Sequence, residues 1–285
     1  MEIIVKGHSG CQIDIINNGS KLYINKSTFD PQYVNRLYLQ AKKQCEAAKK
    51  SYQHIRIPEI YEINRHEDHL TIKMEYIYSK NFVDYFEDAG FDNINYFIKA
   101  LRIFIDSEIE KSILQNIDTM IIKKKYEDVC YKCQSNPYLA NDIQIIHLLE
   151  KSRKIFNQLP NCIEIPIGQC HGDLTFSNIL FNGNNYYLID FLDSFIESPL
   201  IDLVKIRQDS KYKWSQLMYN GKLDVVRLSI ISQKIDKEID KYYTTYDWYE
   251  KYYTSFQLMN FLRILQYAKE NKVIAYLKNV LESMI

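Results

Sequence analysis

Apolar and polar positions follow a strand-like spacing in the first part of the chain. Alternation with a period of two predicts five short strands, at residues 2–7, 11–16, 21–26, 55–63 and 69–77. The Asn-Asn-Gly-Ser sequence at residues 17–20 is typical of a hairpin turn between the second and third strands. Asp30 followed by Pro31 predicts the start of a helix that runs to about Lys50, because aspartate caps helices and proline suits their first position.

The spacing becomes helical from about residue 81 onward. Apolar residues recur at intervals of three and four, for example at Phe97, Leu101 and Phe104. One strand-rich segment, residues 170–191, interrupts the helices. The pattern therefore predicts an α+β chain with a small antiparallel-sheet lobe that contains one helix, residues 1–78, and a larger, mainly helical lobe, residues 79–285.

Composition narrows the classes of partner. Lysine plus arginine and aspartate plus glutamate both number 36, which argues against a chain that holds nucleic acid by neutralising phosphates. No apolar run approaches the roughly 20 residues of a membrane span. Six cysteines and no secretory signal favour reduced thiols in a cytoplasmic protein. Cys130 and Cys133 form a lone C-x-x-C without a second ligand pair, so we interpret them as ordinary thiols.

The residues with chemical potential lie around the strand-rich segment. His171 begins an H-G-D-x-x-x-x-N sequence that is followed by two short apolar strands separated by an Asn-Gly turn. Antiparallel pairing brings Asp173 and Asn178, before the first strand, beside Asp190, after the second. Phosphoryl transfer needs one carboxylate near the attacking hydroxyl, and a carboxylate and an amide oxygen to hold Mg²⁺ against nucleotide phosphates. The hairpin can supply all three groups.

The same segment resembles the aminoglycoside phosphotransferase and choline kinase superfamily, the small-molecule relatives of protein kinases. HGDLTFSNIL is similar to its catalytic loop, LIDF to its magnesium-binding strand and ESPLIDLVKI to the signature that follows. The resemblance implies a two-lobed protein-kinase-like fold and an enzyme that uses Mg²⁺ and ATP or GTP. It assigns the proton-accepting role to Asp173 and the metal to Asn178 and Asp190. His171 and Asp202 would brace the loop, although His171 can also be interpreted as a general base.

Weaker similarities extend into the first 78 residues. The Gly-His-Ser-Gly sequence ending in Ser9 and Gly10 occupies the place of a phosphate-covering loop, whose backbone N–H groups can approach phosphate oxygens. Lys26 resembles the phosphate-binding lysine, and Lys21 is the alternative. The resemblance implies that a helix carboxylate orients this lysine.

Two further assignments rest on position in the sequence: the residue that orients the lysine, and the backbone groups that contact adenine. Glu46 is the only acidic residue between Pro31 and Ser51, and Gln40 is a neutral alternative. Residues 73–77, with the sequence Lys-Met-Glu-Tyr-Ile, resemble the strand that leads out of the first lobe. This resemblance would place the carbonyl of Glu75 and the N–H of Ile77 against the adenine edge.

The acceptor is the least determined part of the prediction. The resemblance implies a small-molecule or saccharide acceptor. Residues 204–214 and 260–267 resemble members associated with bacterial surface-polysaccharide synthesis, which favours a sugar-containing acceptor. Four residues are candidates to line its pocket: Asp193, Glu197, Asp209 and Arg263.

Two other classes of function stay open. One is a catalytically silent nucleotide-binding or scaffolding protein with this fold. The other is a nuclease or nucleotidyl transferase that uses Asp173 and Asp190 with two metals, which would need further carboxylates nearby, such as Asp193.

Overall fold

The computed structural model describes residues 3–6, 11–19 and 21–285. Its strands are β1 (Ile3–Lys6), β2 (Gln12–Asn17), β3 (Leu22–Thr28), β4 (Ile55–Arg56), β5 (Ile60–Arg65), β6 (Leu70–Glu75), β7 (Ile113–Asp118), β8 (Cys162–Ile167), β9 (Ile179–Asn182) and β10 (Asn185–Leu188). Its helices are α1 (Pro31–Ala48), α2 (Phe82–Asp88), α3 (Phe91–Glu110), α4 (Met120–Ser135), α5 (Ile143–Asn157), α6 (Pro199–Ser210), α7 (Trp214–Met218), α8 (Val225–Tyr243), α9 (Asp247–Leu265) and α10 (Asn271–Glu282). Among the described residues, no helix combines the length and apolar character needed to cross a membrane.

The chain folds into two compact units. The first contains Met1–Ser107, His171–Asp193 and Asp224–Leu228, and the second contains the remaining residues. This division differs from the boundary predicted after residue 78, because the first unit includes α2, most of α3 and the hairpin of β9 and β10.

The first unit is built on an antiparallel sheet with the strand order β1-β2-β3-β6-β5. The predicted single strand at residues 55–63 is wrong: it is divided into β4 and β5, and β4 joins a different sheet. Pro58 lies between them, and it lacks the backbone N–H that a continuous ladder needs.

Helix α1 begins where the sequence predicts. The Asp30 side chain accepts a hydrogen bond from the Gln32 N–H, and Pro31 occupies the first turn. The apolar face of α1 packs on the sheet in a buried cluster: Cys11, Val34, Leu37, Ala41, Leu70 and Ile72. Burial of this face against the sheet therefore sets the rotation of α1 about its own axis.

A second sheet, with the strand order β4-β10-β9, holds the hairpin inside the first unit. Strand β10 pairs in parallel with β4, with Tyr186 opposite Ile55, and antiparallel with β9. Aromatic side chains of the hairpin pack against α2 and α3: the Tyr85 and Phe181 rings stack at 4.3 Å, and the Phe97 and Tyr186 centroids lie 5.0 Å apart. These ring contacts explain why the hairpin joins the first unit.

The second unit is mainly helical but contains one sheet that the sequence did not predict. Strands β7 and β8 pair antiparallel over six residue pairs.

Cys130 and Cys133 lie buried on α4, where burial raises the pKa of the Cys133 thiol to about 12. Arg207 on α6 forms a bidentate ion pair with Asp236, with nitrogen–oxygen distances of 2.7 and 3.1 Å, which ties α6 to α8.

Candidate functional site

The hairpin places Asn178 and Asp190 at the same end. Ile179 lies opposite Leu188, and the Ile189 N–H donates to the Asn178 carbonyl at 3.1 Å, which extends the pairing by one step beyond the strands. Asp190 follows immediately, with a φ of 62°. A non-glycine residue in this left-handed region costs free energy, and such residues persist where neighbouring contacts hold them, often at functional sites.

Asn178 fixes the Asp173 side chain. The amide nitrogen of Asn178 donates to both the backbone carbonyl and the Oδ2 atom of Asp173, each at 2.9 Å. Both amide hydrogens of Asn178 are thus used on Asp173. The Oδ1 atom of Asn178 carries only acceptor lone pairs, which are what a cation needs. The arrangement thus combines an oriented carboxylate with an amide oxygen suited to a hard cation.

Lys26 meets this group from β3. Its Nζ atom lies 2.7 Å from Oδ1 of Asp190, and its side chain is buried. Burial by itself would lower the pKa of Lys26, but the adjacent Asp190 carboxylate outweighs this effect and raises the pKa above its usual value. Lys26 is therefore a charged ammonium group beside Asp190.

His171 is buried and has a defined tautomer. Its Nδ1 atom lies 3.2 Å from the Asp173 backbone nitrogen, whose N–H donates to it, and Nε2 lies 2.9 Å from the Ile189 carbonyl oxygen. Nδ1 must therefore accept and Nε2 must donate, which describes a neutral imidazole. Burial lowers the pKa of His171 to about 4, in agreement with this state. Both contacts are to backbone, so the geometry favours the bracing interpretation.

Gly172 allows the loop of residues 171–178 to approach the segment after Asp190. Its φ is +85°, and a Cβ atom built there would lie 2.1 Å from the Leu192 carbonyl oxygen. The Leu192 N–H donates to the His171 carbonyl at 2.9 Å across the same contact. Any side chain at position 172 would separate the two segments.

The structure does not pair Glu46 with Lys26, which corrects the prediction for that residue. Glu46 is exposed and forms an ion pair with Lys49 at 2.7 Å, one turn along α1. Gln40 is buried, and its Oε1 atom accepts a hydrogen bond from the Tyr33 hydroxyl at 3.4 Å. The partner that the structure gives Lys26 is Asp190.

Two basic residues of α1 contact the segment after Asp190, and the sequence reasoning missed both. The Lys43 Nζ atom donates to the Leu192 carbonyl at 2.6 Å, and the Arg36 Nε atom lies 3.2 Å from Oδ1 of Asp193. Together with Gln40 they follow an i, i+4, i+7 spacing, which places them along one stripe of the helix. The spacing shows that the three residues share one side of α1, but it does not show which groups they contact.

The remaining nucleotide-site predictions have different outcomes. Ser9 and Gly10 lie outside the described residues. Glu75 ends β6, and the Glu59 N–H reaches its Oε2 atom at 3.3 Å. Ile77 is buried, its carbonyl accepts from the Ser79 hydroxyl at 3.3 Å, and its N–H has no partner among the described residues. The N–H of Ile77 is thus available to a ligand.

The four acceptor-pocket candidates fall in different surroundings. Partial burial by itself would raise the pKa of the Asp193 carboxyl, but its pairing with Arg36 outweighs this effect and lowers the pKa. Glu197 accepts from the Ser194 N–H at 2.8 Å, and Arg263 lies over the Phe195 ring at 5.4 Å.

Asp209 corrects the prediction for that position. Its carboxylate is buried and accepts from the Ser215 N–H and hydroxyl, both at 2.8 Å, so it stabilises the start of α7 in the interior. Asp202 is also buried, in the first turn of α6.

A cation at this site would depend on mixed ligands. In the described part of the chain, no group of three histidine, cysteine or acidic side chains has the geometry of a metal site. The Asn178 amide oxygen and the Asp190 carboxylate are hard oxygen donors, and Mg²⁺ commonly takes few protein ligands and keeps several waters. The donor set therefore fits magnesium bound together with phosphates, and not a site made by protein alone.

Comparison with solved structures identifies the architecture. An aminoglycoside phosphotransferase bound to GDP and kanamycin aligns with all of this chain and 92% of its own length, at 14% identity and a TM-score of 0.63. Another, in complex with ADP and hygromycin B, aligns over 100% and 92% at 10% identity and a TM-score of 0.61. The chain has a protein-kinase-like fold. Glucosamine kinase, solved with glucosamine, ADP and inorganic phosphate, shares this kinase-like fold over 100% of this chain and 76% of its own, at 10% identity and a TM-score of 0.61.

Sequence comparison agrees with this kinase-like assignment. The model of the phosphotransferase enzyme family matches residues 131–220, which include Asp173, Asn178 and Asp190. No curated protein shows significant sequence similarity to the chain. The predicted fold class and the resemblance to the aminoglycoside phosphotransferase superfamily are confirmed. Together, the findings support a kinase-like phosphotransferase.

Proposed function

We propose that this chain is a kinase that transfers the terminal phosphoryl group of ATP or GTP to a hydroxyl of a small, sugar-containing acceptor. One observation carries the proposal: Lys26, Asp173, Asn178 and Asp190 lie in the same unit, joined in two hydrogen-bonded pairs at one end of the hairpin. Similar folds hold ADP or GDP together with hygromycin B, kanamycin or glucosamine, which supports a nucleotide donor and a sugar-containing acceptor.

Asp173 is the proposed catalytic base. Asn178 holds its carboxylate in one orientation, so that the acceptor hydroxyl can donate to it and lose its proton as the phosphoryl group is transferred. His171 fixes the backbone of Asp173 through Nδ1 and stays neutral, since a protonated ring would turn a donor toward the Asp173 N–H.

Lys26 and Asp190 bind the donor side. The Lys26 ammonium group binds the nucleotide phosphates, and Asp190 keeps it charged and in place. Asn178 Oδ1 and the Asp190 carboxylate would hold a magnesium ion, which neutralises charge on the phosphates when bound. The N–H of Ile77 donates to the adenine or guanine edge.

The test is Asp173→Asn, which preserves the side-chain shape and removes the charge. Transfer from labelled ATP or GTP to a panel of sugars and aminoglycosides, followed by mass spectrometry, should fall by about 10² to 10⁴. Binding of Mg·ATP should persist, because Asn178 and Asp190 remain. Asp68→Asn, an exposed carboxylate between β5 and β6, is the matched control. Near wild-type turnover in well-folded Asp173→Asn protein would refute the assignment.

The pairing of Glu46 with Lys49 supports a second candidate, a catalytically silent nucleotide-binding protein. An active kinase with this architecture would otherwise be expected to orient Lys26 from α1. A silent protein would bind Mg·ATP and phosphorylate no acceptor of the panel, and Asp173→Asn would leave its behaviour unchanged.

A further inference from the structure

Helix α1 lacks an inward-facing carboxylate. Its one acidic residue, Glu46, is exposed and paired with Lys49. The polar stripe that borders its apolar face consists of Arg36, Gln40 and Lys43. The helix therefore presents cationic and amide groups to the neighbouring segments, and what those groups contact indicates what the helix does.

Lys43 binds backbone two residues beyond Asp190. Its Nζ atom lies 2.6 Å from the Leu192 carbonyl oxygen, while the Leu192 N–H donates to the His171 carbonyl at 2.9 Å. Leu192 is thus held from both sides, by α1 through its carbonyl and by the catalytic loop through its N–H. Arg36 repeats the contact at the next residue through Asp193.

These bonds act on a segment that is otherwise unfavourable. Asp190 has a φ of 62°, a conformation that costs free energy and that surrounding contacts must maintain. The Lys43–Leu192 bond is charge-assisted and half-buried, so it is among the stronger hydrogen bonds available to the segment. Loss of this bond would let the backbone after Asp190 relax and would move the Asp190 carboxylate away from Asn178.

We infer that Lys43 is a positioning residue that holds the segment from Asp190 to Asp193 in its metal-binding conformation, so that α1 supports the magnesium ligand through the Leu192 backbone and not through a carboxylate paired with Lys26. This inference rests on the proposed function. It explains how a chain whose Glu46 faces away from Lys26 keeps an ordered site.

The environment of His171 agrees with this role. Burial is the main reason that the pKa of His171 is low; the Asp173 carboxylate opposes it, and the Lys43 charge adds to it. Lys43 therefore also favours the neutral imidazole, which is the form that can accept from the Asp173 N–H. One side chain thus acts on both the metal-binding segment and the catalytic loop.

The experiment compares Lys43→Met with Lys42→Met, an exposed lysine one position earlier on the same helix. Affinity for ADP is measured by calorimetry as a function of magnesium concentration, together with KM and kcat for Mg·ATP. A hydrogen bond to a charged group favours one conformation by about 10- to 100-fold. Its loss lowers the population of the binding conformation, so we expect KM for Mg·ATP to rise by up to that factor in Lys43→Met. We expect kcat at saturating Mg·ATP to change much less, and Lys42→Met to behave as wild type.

Two further variants separate positioning from simple support of the fold. Lys43→Arg keeps a charged donor and should restore magnesium-dependent ADP affinity, whereas Lys43→Gln keeps a neutral donor and should restore it in part. Equal magnesium dependence in well-folded Lys43→Met and Lys42→Met would overturn the inference and leave the proposed function intact. If Lys43→Met does not fold, Lys43→Gln is compared with Lys42→Gln, and equal magnesium dependence of those two variants would overturn the inference. Failure of wild-type protein to bind Mg·ADP would overturn the proposed function, and the inference with it.

Discussion

Replacement of Gly172 by alanine tests the close approach between the loop of residues 171–178 and the segment after Asp190. Gly172 has a φ of +85°, and an added Cβ atom would lie 2.1 Å from the Leu192 carbonyl oxygen and 3.0 Å from its carbon. Both atoms belong to the backbone, so no side-chain rotation can relieve the overlap. Gly183, in the turn between β9 and β10, has a φ of +57° with nothing within 4 Å of an added Cβ atom.

The two glycines separate backbone strain from steric overlap. An L-residue in the left-handed region costs about 1–2 kcal/mol, and the reduced entropy of the unfolded chain returns about 0.4–1 kcal/mol. Gly183→Ala should therefore lower the free energy of unfolding by about 1 kcal/mol or less. Gly172→Ala carries the same cost and adds an overpacking cost of about 1–3 kcal/mol, because Leu192 must move. We expect a total loss of about 2–4 kcal/mol.

Urea unfolding followed by circular dichroism measures both variants on the same scale. Movement of Leu192 also breaks its hydrogen bond to His171, so Gly172→Ala should lose phosphoryl transfer per folded molecule while Gly183→Ala keeps it. Equal destabilisation of the two variants would refute the reasoning, since the overlap at position 172 would then have no energetic consequence.

Three other substitutions probe the charged groups and the buried histidine. Asp190→Ala should abolish the magnesium dependence of nucleotide binding in calorimetry, and unchanged Mg·ATP affinity would remove Asp190 from the metal site. Lys26→Met should lower phosphoryl transfer by about 10²-fold. It should change the free energy of unfolding by about 1 kcal/mol or less, because Asp190 is 42% exposed and water can replace the ammonium group. Full activity in Lys26→Met with none in Lys21→Met would contradict the assignment. Between pH 6.5 and 4, His171 takes up a proton in the unfolded chain but not in the folded protein. Over this range the free energy of unfolding of the wild type, measured in urea at each pH, should therefore fall by about 3 kcal/mol more than that of His171→Gln. Parallel pH profiles of the two proteins would contradict the neutral tautomer.

The hairpin was predictable because its signals are local. Period-two apolar residues, an Asn-Gly turn and polar residues at fixed offsets define β9, β10 and the positions of Asn178 and Asp190 without knowledge of the rest of the chain. Strands β7 and β8 were not predictable, because each is only six residues long. Five of the six β7 residues are exposed, so buried and exposed positions do not alternate clearly along that strand.

The orientation of α1 shows a second limit. Glu46 was chosen because it is the one acidic residue in that helix, yet it lies two positions after the buried Gln44, about 200° around the helix axis. Helical geometry alone would have placed it on the outer face. The contact of Lys43 had no comparable signal, because its partner is a main-chain carbonyl of a distant segment, and a backbone atom leaves no mark in the sequence.

The pairing of β4 with β10 has a consequence for biosynthesis. The chain emerges from the ribosome in sequence order, so Ile55 is synthesised long before Tyr186, its neighbour in the sheet. Until then the two-residue strand β4 has no partner on that edge, and the rings of Tyr85 and Phe97 lack the hairpin side chains that cover them. The nascent first unit therefore carries uncovered apolar surface while α4 and α5 of the second unit are being translated. Synthesis of the hairpin that brings Asn178 and Asp190 together therefore also supplies the side chains that cover these rings.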